Sequence, residues 1–183
     1  MNLKLERIFR IVAGVIDAIN DWLGGWIFAL LALPLLYAVC HEVISRYVFD
    51  APTDWSYEVT YMVYGAFFML GSAYTLLKGG HVRTDIFYLN WSFRRRGIID
   101  ATLYFFCFFP GLILFFWIGL VEANHAYIIS EHSDATPWMP PLTPFKSTIP
   151  LAAALLIMQG VSEFLKSLYA AITGRQLLTG REQ

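Results

Sequence analysis

The sequence predicts an all-α membrane protein. It should have four transmembrane helices, an N-terminal amphipathic interfacial helix and a second interfacial helix between spans 2 and 3. Three observations predict this. First, 57% of the 183 residues are hydrophobic, only 15% are charged, and the mean hydropathy is +0.54. Soluble domains lie near roughly 45–50% apolar and about 25% charged. Second, the apolar residues form long continuous windows rather than alternating ones, which excludes a membrane barrel of strands. Third, the charged residues gather between those windows. The same composition excludes disorder. Lys plus Arg is 13 and Asp plus Glu is 14, so there is no basic excess for phosphates and no nucleic-acid partner is expected.

One domain is expected over 1–183, with spans at about 22–44, 58–78, 98–121 and 148–170. Residues 3–21 come first. Lys4, Arg7, Arg10, Gly14, Asp17 and Asp21 form one helical stripe, and Leu5, Ile8, Phe9, Val12, Ile16 and Ile19 form the other. This reads as a helix in the inner interface, with packing on the inner ends of the bundle as the alternative. Asp17 and Asp21 separate it from the next apolar run, so it is not a signal peptide. The first span is uncharged from Trp22 to Cys40 and continues past His41 and Glu42. The second is uncharged from Val59 to Leu77, and Gly79-Gly80 should stop it.

Val82 to Arg96 should form the second interfacial helix. Val82, Ile86, Leu89 and Phe93 share a face, with Phe87, Tyr88 and Trp91 beside it. Arg94-Arg95-Arg96 closes the segment, where the arginines should fix topology and touch lipid phosphates. The third span, Ala101 to Val121, contains Pro110, expected to kink it as Pro34 kinks the first. Five of the eight prolines fall between Pro137 and Pro150, so the third loop should be extended, with Trp138 as its interfacial anchor. The fourth span, Ser147 to Ser162, is short and needs Glu163 and Lys166 to snorkel at the interface.

Basic residues set the orientation. Lys4, Arg7, Arg10, Lys78, Arg83, Arg94, Arg95, Arg96, Lys166, Arg175 and Arg181 flank one end of the spans; Arg46 and Lys146 flank the other. The positive-inside rule then places both termini in the cytoplasm. Cys40 and Cys107 form no spacing motif and lie at different depths, so neither a redox pair nor a bridge is expected; both read as buried small hydrophobes.

Chemistry is scarce. There is no nucleophile triad, HExxH or phosphate-cradling loop, so no catalytic, cofactor or metal residues are expected and the chain does not read as an enzyme. Glu42 and Arg46 can pair at i,i+4, and Glu58 opens the second span from the same side. A haem-carrying redox subunit would need His41 and His125 as ligands, but neither lies deep in the bundle. A thiol oxidase would need paired loop cysteines, which are missing. A self-contained homodimeric exporter would need a carboxylate within a span.

Several short motifs then stand in order. Arg46-Tyr47-Val48-Phe49 closes the first span, and Trp55-Ser56-Tyr57-Glu58 opens the second. Gly65 and Gly71 fall within the second span, and Gly80-His81-Val82-Arg83-Thr84-Asp85 follows it. Pro150 enters the fourth span after a tryptophan-containing loop. Over nearly the whole chain this resembles the small membrane subunit, of DctQ type, of tripartite ATP-independent periplasmic (TRAP) transporters. That family has a Trp-x-x-Glu opening and a Gly-x-His-hydrophobic-x-x-Asp ending at its second span. The loop from Glu122 to Ser147 is long and proline-rich for the family, which implies a subgroup with an altered outer surface.

The resemblance implies a small permease or scaffold subunit in the bacterial inner membrane. Its partners would be a large many-span permease subunit, which uses the sodium gradient, and a periplasmic substrate-binding protein delivering an organic acid. It implies no cofactor for this chain. Arg46, Trp55 and Glu58 are then the candidates for structural or partner contacts at the outer end, with His81 and Asp85 at the inner end.

Overall fold

The structure is a computed structural model that describes residues 3–80, 91–175 and 177. Among the described residues six α-helices follow one another: α1 (Leu3–Trp22), α2 (Ala32–Tyr47), α3 (Ser56–Leu77), α4 (Phe93–Leu103), α5 (Phe109–Ile128) and α6 (Thr143–Thr173). There is no strand among the described residues; an isolated bridge joins His132 and Pro141. α1 runs into α2 through a π-helical turn, Leu23–Phe28, and a 3-10 turn, Ala29–Leu31; α4 runs into α5 through a π-helical turn, Tyr104–Phe108. Prolines explain both joints. Pro34 and Pro110 lack the N–H that would bond the fourth residue back, and their rings crowd that carbonyl, so the preceding turn changes its winding.

Among the described residues four continuous helical runs are long and apolar enough to cross a membrane: Glu6–Tyr47, Ser56–Leu77, Phe93–Ile128 and Thr143–Thr173. The first has 42 residues, the third 36 and the fourth 31. At 1.5 Å per residue even the fourth is about 46 Å long, more than a hydrocarbon core of about 30 Å. These three must therefore tilt in the bilayer or project beyond it. The bundle has two ends. One, the acidic end, carries the α2–α3 and α5–α6 loops; the other, the terminal end, carries α1's start, α3's close, α4's start and α6's close.

α6 lies at the centre and packs on α1, α3, α4 and α5, while α2 packs on α3. Leu70, Ala73, Ala152 and Leu155 form the buried core, with Leu23, Phe28, Leu31 and Leu156 against it. Elsewhere the contacts use small residues, which let helix backbones approach where lipid removes the hydrophobic drive. A Cβ on Gly97 would fall 2.5 Å from the Ala171 amide nitrogen and 2.6 Å from the Ser167 carbonyl oxygen of α6. A Cβ on Gly119 would meet Ile149 and Pro150 at 2.9 and 3.2 Å. Pro150, expected at the entry of the fourth span, thus lies inside α6 and is buried against α5.

The outer surface is apolar: Trp26 is 72% exposed and Trp117 67%. A surface of this extent suits lipid rather than water. Cys40 and Cys107, expected to be buried, are free thiols exposed on this surface. The small positions inside are taken by alanine and glycine, so the cysteines fall on the outward stripes.

The helix ends follow local chemistry. Gly79 ends α3 at φ +67°, with Gly80 N–H donating to Thr75 O at 2.9 Å, the 6→1 bond of a Schellman close. Gly174 ends α6 at φ +67°. The expected interfacial helix over Val82–Arg96 lies largely outside the described residues; of its described residues, 91–96, the last four form the first turn of α4.

Candidate functional site

Polar side chains gather in two places. At the acidic end, Glu42 projects from the last turns of α2. Its Oε1 accepts from Arg46 Nε at 2.9 Å and Nη2 at 2.6 Å. Its Oε2 accepts from the Thr53 amide at 3.1 Å and from the Thr53 hydroxyl. The Thr53 and Ser56 hydroxyls are 2.8 Å apart. One carboxylate therefore holds the end of α2 to the loop that starts α3.

Glu58 acts on the other loop. It sits in the first turn of α3, where the helix dipole favours a carboxylate, and is 1% exposed. Its Oε1 accepts from the Ser133 hydroxyl and, at 3.3 Å, from the Thr136 hydroxyl of the proline-rich loop. The Ser133 amide donates to Pro140 O, and Leu142 N–H donates to Glu131 O, both at 2.9 Å. Lys146 bonds both Glu131 oxygens at 2.9 and 2.7 Å. These bonds hold a loop whose backbone is strained at Ser130 (φ 50°) and Met139 (φ 46°).

Trp55 lies between the two carboxylate sites. Its ring stacks on Tyr37, centroids 6.4 Å apart, and meets His41 at 5.1 Å. With Pro52, Thr53, Asp54, Val59, Pro137 and Trp138 it lines an open groove of about 550 Å3. Trp138, expected as an interfacial anchor, is 48% exposed at that groove.

The second cluster is internal and joins α1 to α6. Asp17 is 4% exposed, Asn20 2%, and Gln159 and Ser162 0%. Asn20 Nδ2 donates to Gln159 Oε1 at 2.8 Å, and Gln159 Nε2 donates to Asp17 Oδ1 at 2.9 Å. Ser162 donates to the same Asp17 oxygen at 2.6 Å. Lys166 Nζ reaches Asp17 Oδ2 and Glu163 Oε1, each at 2.8 Å. Beside it, Lys78 of the α3 close pairs with Asp21 at 2.8 Å.

Glu163 and Lys166, expected at the interface, bond one another, and Lys166 also bonds Asp17. Lys166 turns toward Asp17, and the Lys166 and Glu163 side chains are each 15% exposed. The polar stripe of residues 3–21 supplies this contact, while Ile8, Val12 and Ile19 of the apolar stripe are 54%, 39% and 41% exposed.

The sequence candidates divide accordingly. Arg46, Trp55 and Glu58 are all at the acidic end, but Arg46 pairs with Glu42 and Glu58 with Ser133 and Thr136, so the two form separate ties. His81 and Asp85 lie outside the described residues. The sequence reading passed over Gln159, Asn20 and Ser162. The available signal was an amide within an apolar window, since a polar group in a span needs a partner. Among the described residues no group of three or more His, Cys, Asp or Glu could hold a metal ion.

Two tied loops at one end, an internal polar clasp and a lipid-suited exterior describe a membrane bundle whose polar groups mostly hold its own helices. The family model for the DctQ component of tripartite ATP-independent periplasmic transporters matches residues 35–169. That interval begins in α2 and closes in the last turn of α6, so it takes in both carboxylate ties and the α6 half of the clasp. No curated protein and no solved structure matches the chain. With most of its length inside that match, the chain belongs to the DctQ family, a component family of the TRAP transporters.

Proposed function

We propose that this TRAP transporter subunit is a fixed scaffold for a large many-span permease subunit in the bacterial inner membrane, with both termini in the cytoplasm. In this reading the large subunit couples the sodium gradient to uptake of an organic acid, a periplasmic binding protein delivers that acid, and this chain needs no cofactor. The observation that carries the scaffold role is the internal clasp. Asp17, Asn20, Gln159, Ser162 and Lys166 bond one another across α1 and α6. A bundle clasped in this way resists relative motion of its helices, which suits a stator better than a moving carrier. Its broad apolar exterior supplies area for a membrane partner.

The test is co-expression with a large TRAP permease subunit. Purification through a tag on this chain should recover a stable complex, and deletion of this chain should abolish uptake in cells. Recovery of this chain alone, together with unchanged uptake on its deletion, refutes the proposal. The charge distribution supports the orientation, and a reporter fused to the C-terminus tests it: activity of a periplasm-only reporter there contradicts it.

A further inference from the structure

Most basic side chains described here are engaged. Arg10 pairs with Glu6, Arg46 with Glu42, Lys78 with Asp21, Lys146 with Glu131, and Lys166 with Asp17 and Glu163. Arg96 turns back onto its own segment: its Nε donates to Trp91 O at 3.0 Å and its guanidinium lies 5.6 Å from the centre of the Phe93 ring. Arg94 and Arg95 differ. Both are exposed and neither has an ion pair or side-chain hydrogen bond among the described residues.

Their position follows from Gly97. Its backbone contact with Ser167, Ala170 and Ala171 sets α4 against α6 and fixes which way its remaining faces point. Arg95, Ile99, Leu103 and Phe106 then follow one another on the outward side, with the three apolar residues 37%, 54% and 70% exposed. Arg94 heads the neighbouring stripe through Ile98 and Phe105, 50% and 58% exposed. Each arginine thus caps an apolar column suited to acyl chains. Trp91 and Phe93, 37% and 51% exposed, stand beside them as rings of the kind that settle at headgroup depth.

We propose that Arg94 and Arg95 form a docking surface selective for anionic phospholipid headgroups, with the acyl chains running down the Ile98–Phe105 and Ile99–Phe106 columns. Two exposed guanidinium groups can each present paired N–H donors to one phosphate. The apolar columns distinguish a lipid from a free anion, because only a lipid covers both. Arg96, held by Trp91, shapes the floor of the surface rather than competing for the headgroup.

The test uses the full chain in nanodiscs of phosphatidylcholine and phosphatidylglycerol with identical acyl chains, followed by native mass spectrometry of retained lipid. At about fivefold per arginine, the wild type should retain phosphatidylglycerol about twenty-fivefold over its mixing ratio. R94Q/R95Q should lose most of that preference, each single variant should lose about fivefold, and R94K/R95K, which keeps the charge but not the paired donors, should fall between the wild type and R94Q/R95Q. R7Q/R175Q removes two exposed charges from the same end and should leave the preference in place. An equal loss in R7Q/R175Q, or an undiminished preference in R94Q/R95Q, overturns the proposal. So does displacement of the lipid by millimolar inorganic phosphate, which would mark a simple anion site. The single variants keep the test open should the double variant fail to fold.

Discussion

Lys166→Met is the most informative single perturbation of the bundle. Lys166 donates at 2.8 Å to Asp17 and at 2.8 Å to Glu163, and its side chain is only 15% exposed. Methionine of similar length fills the space, so the main change is electrostatic: two carboxylates lose their shared cation. Asp17 keeps Ser162 at 2.6 Å and Gln159 at 2.9 Å. Glu163 keeps only the longer contact to Gln159, at 3.5 Å. Breaking a buried pair on one side costs about 3–5 kcal/mol. Single neutral hydrogen bonds within membrane bundles average about 0.6 kcal/mol, so the unpaired charge should dominate. The expected loss is about 3 kcal/mol, taken at the low end because Asp17 retains two partners. It is read from the unfolding of the detergent-solubilised chain by tryptophan fluorescence. The triple change K166M/D17N/E163Q removes the charges together and should recover most of the loss, since neutralising a whole network is far cheaper than orphaning part of it. A loss below about 0.5 kcal/mol, within the range of an ordinary surface change, refutes the clasp. A triple variant no better than K166M alone shows that packing, rather than unpaired charge, was lost.

Three further outcomes are expected. Glu58→Ala should cost about 2 kcal/mol, because it strips the acceptor from the Ser133 and Thr136 hydroxyls. Faster proteolysis of the proline-rich loop in the variant checks this, and unchanged cleavage counts against it. Arg46→Ala should cost at most about 1 kcal/mol, since its pair with Glu42 is exposed; both variants should lower the yield of complex with the large subunit more than substrate affinity. Gly97→Ala should cost about 1–3 kcal/mol by forcing α4 off the α6 backbone. Gly71→Ala, where nothing lies within 4 Å, should be neutral or slightly stabilising. Thermal unfolding of the pair decides, and equal midpoints remove the close-contact argument.

The features that show in one dimension were legible in the sequence. Four spans follow from length and continuous hydropathy, the joints in two of them from Pro34 and Pro110, and the stop after α3 from Gly79-Gly80. The Glu42–Arg46 pair was legible for the same reason, as an i,i+4 contact along one helix. The long-range partners were not. Glu58 meets Ser133 at 75 residues' separation and Asn20 meets Gln159 at 139, and no local pattern encodes such pairings. Gln159 was the missed clue. A neutral amide leaves its window uncharged, yet in a span it needs a partner as a charge does.

The amphipathic stripe of residues 3–21 shows why the rest was harder. In a water-soluble protein, an amphipathic helix has one reading: the apolar face goes inward and the polar face outward. Near a bilayer that sign is lost. The polar face can look toward headgroups, or inward to polar groups on a neighbouring helix, and either arrangement leaves the apolar face toward lipid. The sequence fixes the division of the helix into faces but not their direction. That direction depends on whether another span offers matching polar groups, and α6 offers Gln159, Ser162 and Lys166 at i, i+3 and i+7, one helical stripe. Asp17 and Asn20, three residues apart on α1, meet that stripe. A polar stripe on one predicted helix and a matching one on a distant span are therefore best read together, because each explains why the other is tolerated in a membrane protein.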